Sequence, residues 1–339
     1  MQTTILRDYW HPVMRSDEVA GEPVRASLLD ESIVVFRSRG RVVALRDLCI
    51  HRGTPLSMGK IDGDTIVCAY HGWAYGPDGM CVRIPSLPVE QGIPRKARVQ
   101  AYHTDERYGL VWVCLGQPRL PIPHYPAWDD PDFKVKFVRG AEWNANAARV
   151  IENFLDISHF SFVHATTVGH PDYPLVREHT VTQHADGFTI DVDVTLRNDP
   201  TKTFHLQART YMPFSIVYLR SAVGGGLAVG KPVGPDALRM QFFCSSPISG
   251  HRSKNFQFTS QNYPETSEEF DEYRRFSDQV TEEDRRIVEN QRPEELPLDL
   301  SEELHLKGPD IAGIEYRRWL AKLMIELPVG SGVGDHDGD

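Results

Sequence analysis

Two short segments of the chain bring cysteine and histidine together in the same order, Cys49-Ile50-His51 and Cys68-Ala69-Tyr70-His71, separated by 16 residues. Turn chemistry follows each of them, Arg52-Gly53-Thr54-Pro55 after the first and Gly72-Trp73 after the second, so each reads as a loop presenting one thiolate and one imidazole. Two thiolates and two imidazoles can hold a tetrahedral zinc, or a two-iron cluster with two Cys on one iron and two His on the other. The order of residues favours the cluster. Common structural zinc sites pair Cys with Cys on one knuckle and His with His on a helix, whereas here each arm carries one of each. Neutral imidazoles in place of two thiolates raise the reduction potential, which suits an electron acceptor and relay. Cys81, Cys114 and Cys244 have no such pattern and read as small buried hydrophobes.

A second constellation lies in Asn153-Phe154-Leu155-Asp156-Ile157-Ser158-His159-Phe160-Ser161-Phe162-Val163-His164. Asn153, Asp156 and His159 recur every three residues and would share one broad side of a helix. His159 and His164 are five apart, about 140° around an ideal helix, so both can meet one metal only if the helix is distorted or ends between them. Two His and one carboxylate leave coordination positions open on ferrous iron for O2, while the bland alternative is a helix with two ordinary histidines. The carboxylate has to come from elsewhere. Glu282-Glu283-Asp284-Arg285-Arg286-Ile287-Val288-Glu289-Asn290-Gln291 offers several, and chemistry alone does not choose among them. Glu282, Glu283 and Glu289 read most simply as a solvated, ion-paired helix face. His170, His179, His184 and His205 have no partner pattern and read as non-ligands, and His336, between Asp335 and Asp337, mimics a metal site in a Gly- and Asp-rich tail.

The elements that must position these groups fall into two sets. Residues 30–120 read as short strands punctuated by Gly and Pro, among them Ile33-Val34-Val35-Phe36, Val42-Val43-Ala44-Leu45, Ile66-Val67-Cys68 and Leu110-Val111-Trp112-Val113. A proline-rich stretch, residues 118–126, reads as a linker, because proline resists both helix and central strand. The boundary is placed near 125, giving domains 1–125 and 126–339. In the second, 144–160 is helical in composition, 181–221 alternates in strand-like runs, and another strand falls around Met240-Gln241-Phe242-Phe243. Residues 266–291 read as a long helix ended before Pro293, and 311–327 as another. The fold class is thus all-β followed by α+β, with 330–339 expected to be disordered.

A chain of 339 residues with a formal charge of −10 has material for two cores and lacks the basic surface that nucleic acid requires. Neither an N-terminal secretory pattern nor a run of about 18 apolar residues is present, so a cytoplasmic protein without membrane association is expected. The five scattered cysteines do not make a secreted disulfide scaffold. No glycine-rich dinucleotide loop and no further cysteine cluster is visible, so any NAD(P)H chemistry belongs to a separate protein.

The CxHRG and CxxHGW patterns at 49–53 and 68–73 resemble the fingerprint of Rieske domains. Asn-x-x-Asp-x-x-His-x4-His, downstream of them, resembles the catalytic iron motif of the Rieske non-haem iron oxygenases. The resemblance spans nearly the whole chain. It implies a Rieske 2Fe-2S cluster on Cys49, His51, Cys68 and His71, and a mononuclear non-haem Fe(II) on His159, His164 and, in the similar acidic segment, Asp284. It also implies a Rieske domain followed by a helix-grip-like α+β catalytic domain, assembled as a head-to-tail homotrimer. Asn153 and Asp156 are carried over as catalytic residues, Asp156 bridging one subunit's cluster histidine to the next subunit's iron histidine.

Tyr9-Trp10-His11-Pro12-Val13, Glu106-Arg107-Tyr108-Gly109-Leu110-Val111-Trp112 and Ile314-Glu315-Tyr316-Arg317-Arg318-Trp319-Leu320 look most like monooxygenases and N- or O-demethylases. The implied activity is a terminal oxygenase that uses O2, with electrons from a separate NAD(P)H-dependent reductase or ferredoxin, to hydroxylate or demethylate a small organic substrate. Two alternatives are a ring cis-dihydroxylating dioxygenase and an electron carrier, the latter leaving the second motif without a purpose. A zinc-stabilised binding protein is the remaining rival, and it would be colourless. Tyr211, Met212 and Phe214 are candidate pocket residues, with core packing the stronger reading.

Overall fold

The computed structural model describes residues 3–197, 199–221 and 236–325. Runs of β-branched and aromatic residues between turns become strands, as their fit to a pleated, half-buried surface requires. In the first part these are β1 (His11–Arg15), β2 (Val24–Leu28), β3 (Glu31–Ser38), β4 (Arg41–Arg46) and β5 (Lys60–Asp62). They continue with β6 (Thr65–Val67), β7 (Ala74–Tyr75), β8 (Cys81–Arg83), β9 (Ala101–Arg107) and β10 (Leu110–Cys114). A six-stranded sheet runs β1-β10-β9-β4-β3-β2, and a four-stranded sheet runs β5-β6-β7-β8. The first Cys/His segment connects β4 to β5, and the second connects β6 to β7.

The second part is one antiparallel seven-stranded sheet. Its strands are β11 (Lys134–Trp143), β12 (Thr180–His184), β13 (Gly187–Leu196), β14 (Asp199–Tyr211), β15 (Ser215–Ser221), β16 (Leu238–Ser249) and β17 (Arg252–Gln261). They run in the order β11-β17-β16-β15-β14-β13-β12. Besides a single turn at Pro126–Asp129, three longer helices accompany the sheet among the described residues, α1 (Ala147–Leu155), α2 (Ser267–Val288) and α3 (Ile311–Ile325). The expected all-β part followed by an α+β part is what forms. Strand β13 shows why: Phe188, Ile190, Val192 and Val194 are buried on one face, while Asp191 and Asp193 on the other hold His205 at 3.2 Å each. Each such fully buried side chain contributes about 1.5–3 kcal/mol.

Helix α2 starts at a capping box. Thr266 Oγ1 accepts from the Glu269 N–H at 3.2 Å, and Glu269 accepts in return from the Thr266 N–H at 2.7 Å. Its buried residues, Tyr273, Ser277, Asp284 and Val288, lie on one stripe. The expected helix at 311–327 is seen from Ile311 to Ile325, and its remainder lies outside the described residues, as do the tail 330–339 and His336.

The proline-rich stretch connects the two parts but is clamped in place. Tyr125 is fully buried, its N–H donating to Tyr108 Oη and its hydroxyl to Ser260 Oγ, both at 2.9 Å. Around it, Tyr108 and Trp112 of the first part pack with Phe242, Phe256 and Phe258 of the second in one core. Shared burial, rather than chain connectivity alone, sets how the parts sit together.

A buried ion network ties α1 to α3. Arg317 reaches Glu152 at 2.5 and 2.8 Å and Glu303 at 2.5 Å, while Arg149 reaches Glu303 at 2.7 Å. Losing Arg317 leaves Glu303 with Arg149 alone and Glu152 with a 3.7 Å contact to Arg149, so Arg317→Met is expected to destabilise the protein by about 1–3 kcal/mol in urea unfolding. Burial would raise the Glu303 carboxyl, but Arg149 and Arg317 hold it down to about 2 from an ordinary 4.5. A depressed carboxylate stabilises the fold above its unfolded value. That contribution is therefore expected to be intact above pH ~4.5 and to disappear as the pH falls toward 2, in a fluorescence-monitored acid titration.

Candidate active site

The two Cys/His segments fold as matched loops. In the first, the Cys49 carbonyl accepts from the Gly53 N–H at 2.9 Å; in the second, the Cys68 carbonyl accepts from the Gly72 N–H at 3.0 Å. Gly53 and Gly72 have φ of 74° and 69°, the left-handed region that closes such turns without a Cβ clash. Both thiols are buried, and burial together with the adjacent Cys68 thiol raises the Cys49 pKa. The imidazoles of His51 and His71 come to the outer side with ring centroids 4.6 Å apart, and His51 stacks on Trp73. His51 Nδ1 is enclosed yet has no hydrogen-bond partner. An inner thiol pair, an outer imidazole pair and an orphaned ring nitrogen fit a cluster coordinated by two Cys and two His.

The second constellation assembles from two distant stretches. The helix expected over 144–160 is α1 alone. It stops at Leu155 because Asp156 takes an extended backbone (φ −78°, ψ 131°) and its Oδ1 accepts from the Ser158 N–H at 2.7 Å, a local bond that competes with the helix. A 3-10 turn, Ser158–Ser161, follows. Asn153, Asp156 and His159 therefore do not share a helix side, and His159 and His164 converge because the 3-10 turn and the turns after it, not an α-helix, join them. Gly169 presses on this turn: a Cβ there would lie 2.1 Å from the Phe160 carbonyl oxygen.

Helix α2 brings Asp284 to the same point. Three atoms then face one another: His159 Nε2 to His164 Nε2 at 3.2 Å, His159 Nε2 to Asp284 Oδ1 at 3.3 Å, and His164 Nε2 to Asp284 Oδ1 at 3.0 Å. Two ring nitrogens and a carboxylate oxygen on one face of an octahedron with bonds of about 2.1 Å would be roughly 3 Å apart. Among the described residues this is the group of three donors able to hold a metal ion. Burial opposes charge on His159, but the Asp156 and Asp284 carboxylates outweigh it and raise the imidazole to about 9. Burial would likewise raise Asp284, yet the two histidines hold it down to about 2. The donor set suits a cation.

Every donor is held from behind. His159 Nδ1 faces Asp156 Oδ2 at 3.3 Å, His164 Nδ1 donates to Glu283 Oε2 at 2.8 Å, and Asn153 Nδ2 donates to Asp284 Oδ1 at 3.0 Å. Glu283 also accepts from Thr167 Oγ1 at 2.8 Å and from Gln279 Nε2 at 3.0 Å. This overturns the reading of Glu283 as part of a solvated face. Glu282 does pair outward, with Arg285, while Glu289 accepts from the Asn144 N–H at 2.9 Å. No sequence signal separates Glu283 from its acidic neighbours, because its role depends on a residue 119 positions away. His170, His179, His184 and His205 join no further group of metal donors among the described residues.

The three donors open into a pocket of about 670 Å³, mouth included, between α2 and the sheet. Phe154, Phe160, Tyr218 and Phe243 line its near part, and Arg220, Gln241 and Tyr273 also reach it. Tyr211, Met212 and Phe214 do not. Met212 and Phe214 are core, and Tyr211 packs beside another core cluster, as the packing reading has it.

Carboxylates that accept an N–H from a ligating histidine fix its tautomer and orientation. Glu283→Gln is expected to weaken metal binding at His159, His164 and Asp284 by about 10- to 100-fold, measured by Fe(II) titration of protein stripped at this site.

A family model for the Rieske [2Fe-2S] domain matches residues 9–102, and one for the vanillate O-demethylase oxygenase C-terminal domain matches residues 143–326. Methylxanthine N1-demethylase NdmA of Pseudomonas putida is 32% identical over 94% of this chain and 89% of its own length. Methylxanthine N3-demethylase NdmB of the same species is 27% identical over 96% and 92%. The solved structure of Pseudomonas putida CBB5 NdmA with caffeine superposes with a TM-score of 0.82 at 30% identity, covering 94% of this chain and 91% of that one. The electron-carrier alternative falls, since the match extends through the oxygenase domain. The chain belongs to the Rieske non-haem iron oxygenases, as an oxygenase component of the monooxygenase and demethylase type that works with a [2Fe-2S] cluster and a mononuclear iron.

Proposed function

We propose that Cys49, His51, Cys68 and His71 hold the [2Fe-2S] cluster, and that His159, His164 and Asp284 hold the mononuclear iron at which a methyl-bearing organic substrate is oxidised. The observation that carries this is the convergence of His159 Nε2, His164 Nε2 and Asp284 Oδ1 at the floor of a largely aromatic pocket. When bound, the cluster relays electrons from a separate reductase or ferredoxin and the iron activates O2. Phe154, Phe160 and Phe243 exclude water and grip a planar substrate by apolar contact. Asn153, Asp156 and Glu283 keep the three donors in place. With one O2, two electrons and two protons, an N- or O-methyl carbon gains a hydroxyl and the other oxygen leaves as water. The hemiaminal or hemiacetal then releases formaldehyde.

The domains are proposed as 1–125 and 126–339, and the assembly as a head-to-tail homotrimer. Supporting it, the outer edge of the cluster loops exposes Ile50 (43%), Met58 (67%) and Tyr70 (64%), and the segment around the second site exposes Phe162 (66%) and Leu175 (87%). Large exposed apolar side chains are what a subunit interface covers. The Asp156 side chain is partly open to solvent, as a bridge to the next subunit's cluster histidine requires. No helix among the described residues is long and apolar enough to cross a membrane. A cytoplasmic setting is proposed, the five scattered cysteines being unlike a secreted disulfide scaffold.

Iron analysis with an absorption spectrum tests the assignment. The wild type is expected to hold three irons per chain. His159→Ala, His164→Ala or Asp284→Ala is expected to leave two and to abolish formaldehyde release with the cluster still reducible. Cys49→Ser or Cys68→Ser is expected to bleach the cluster while Cys81→Ser keeps it. Full iron and activity in Asp284→Ala would move the third ligand to another carboxylate.

Asp156→Asn is expected to retain iron and a reducible cluster yet lose most product, because an amide offers one acceptor oxygen and turns a donor toward an N–H. Single-turnover cluster reoxidation with substrate and O2 reads this directly, and near-normal reoxidation would remove the bridging role.

A further inference from the structure

The pocket lining carries one guanidinium, that of Arg220, among aromatic, aliphatic and uncharged polar side chains and the three donors. Strand β15 turns Tyr218 and Arg220 to the pocket, and β16 brings Gln241, the register partner of Tyr218, to the same face. Arg239, the register partner of Arg220, is an ordinary buried arginine: it pairs with Glu265 at 2.7 Å and bonds Tyr263 and Thr259. Among the described residues Arg220 has no such counterion. Among those residues its guanidinium meets the Gln241 side-chain carbonyl and lies 5.5 Å from the centre of the Tyr218 ring, and its Nε is enclosed without a hydrogen-bond partner. Residues 222–235, which follow β15, contain neither Asp nor Glu.

A guanidinium withdrawn from water and left without a carboxylate is unfavourable unless something else neutralises it. Burial lowers its pKa to about 10, so it remains a cation at neutral pH. Gln241 cannot neutralise it, and its amide is already committed, the Nε2 group donating to Tyr273 Oη at 2.5 Å. We propose that Arg220 is the docking point for an anionic oxygen group on the substrate, a carboxylate or a sulfonate, so that this oxygenase acts on aromatic acids rather than on neutral rings.

The position of Arg220 also orients the substrate. Tyr273, at the Arg220–Gln241 end, is eleven residues before Asp284 on the same face of α2, roughly 16 Å along the helix axis. Arg220 attracts an anion to its own end of the pocket. The acid group therefore sits away from the three donors and leaves the opposite, methyl-bearing end of the ring beside them. This orientation rests on His159, His164 and Asp284 being the iron site.

Calorimetric titration of the purified holoenzyme tests the proposal without turnover. The probes are the 3- and 4-methoxy isomers of benzoate, benzenesulfonate and benzamide. In the wild type at least one carboxylate or sulfonate is expected to bind about tenfold or more tightly than its benzamide, and the pair of anions separates a carboxylate preference from a sulfonate one. Arg220→Gln is expected to erase that preference with iron content and cluster spectrum unchanged, and Arg220→Lys to keep part of it. Equal or tighter binding of the benzamides by the wild type, binding of no anion, or a preference that survives Arg220→Gln overturns the proposal. The wild-type comparison stands even where a variant fails to fold. A wrong iron assignment would appear instead in the iron content of Asp284→Ala, which these affinities do not enter.

Discussion

Asp284 is a carboxylate withdrawn almost completely from water, and a charge in that position survives only if its surroundings compensate it. Here the compensation comes from three side chains on another stretch of chain: the amide of Asn153 and the imidazoles of His159 and His164. Helix α2 must therefore lie against α1 and the turn that follows it, and the sheet beneath must hold both. The ion network of Arg149, Glu152, Glu303 and Arg317 serves the same end from behind, because it joins α1 to α3 through the helix that carries Asn153. Stability and site geometry are one problem in this part of the molecule.

Two imidazole nitrogens and a carboxylate oxygen about 3 Å apart form a face, and the pocket lies on its open side. The rings of Phe154, Phe160 and Phe243 make that side dry and planar, which favours flat organic molecules and keeps water from the reacting carbon. Farther along, Arg220, Gln241 and Tyr273 form a hydrogen-bonded chain. A cation at one end of a mainly apolar pocket favours one orientation, since an acid group placed at Arg220 finds a counterion while the ring lies against the apolar part.

The cluster loops solve a different problem with local means. Each closes on itself through one backbone bond to a left-handed glycine, so the thiol turns inward and the imidazole outward within a few residues. The buried thiols and the surface histidines follow from that turn geometry. This is why the histidine edge is the face that meets other groups, framed by Ile50, Met58 and Tyr70.

Much of this was legible in the residues themselves. The two Cys/His loops, the His159–His164 pair, the capping box of α2 and the alternation of β13 are all local, and their spacing and turn chemistry act within one or two turns of chain. That the helix must be distorted or end between His159 and His164 could also be deduced, since an unbroken helix would splay the two imidazoles about 140° apart; the helix ends earlier, and a 3-10 turn carries His159. Where the break falls, at Asp156, required its backbone and its bond to Ser158. Tertiary structure alone decided which acids matter. Glu282, Glu283 and Asp284 are consecutive, and only the packing of α2 on the sheet turns Asp284 to the metal site, Glu283 to His164, and Glu282 to Arg285 and solvent. It likewise made Arg220 different from Arg239, two strand arginines alike in sequence, by giving one a counterion and leaving the other open to the pocket. Pairings across a hundred residues depend on how faces are stacked, and stacking is a property of the folded core that no local pattern encodes.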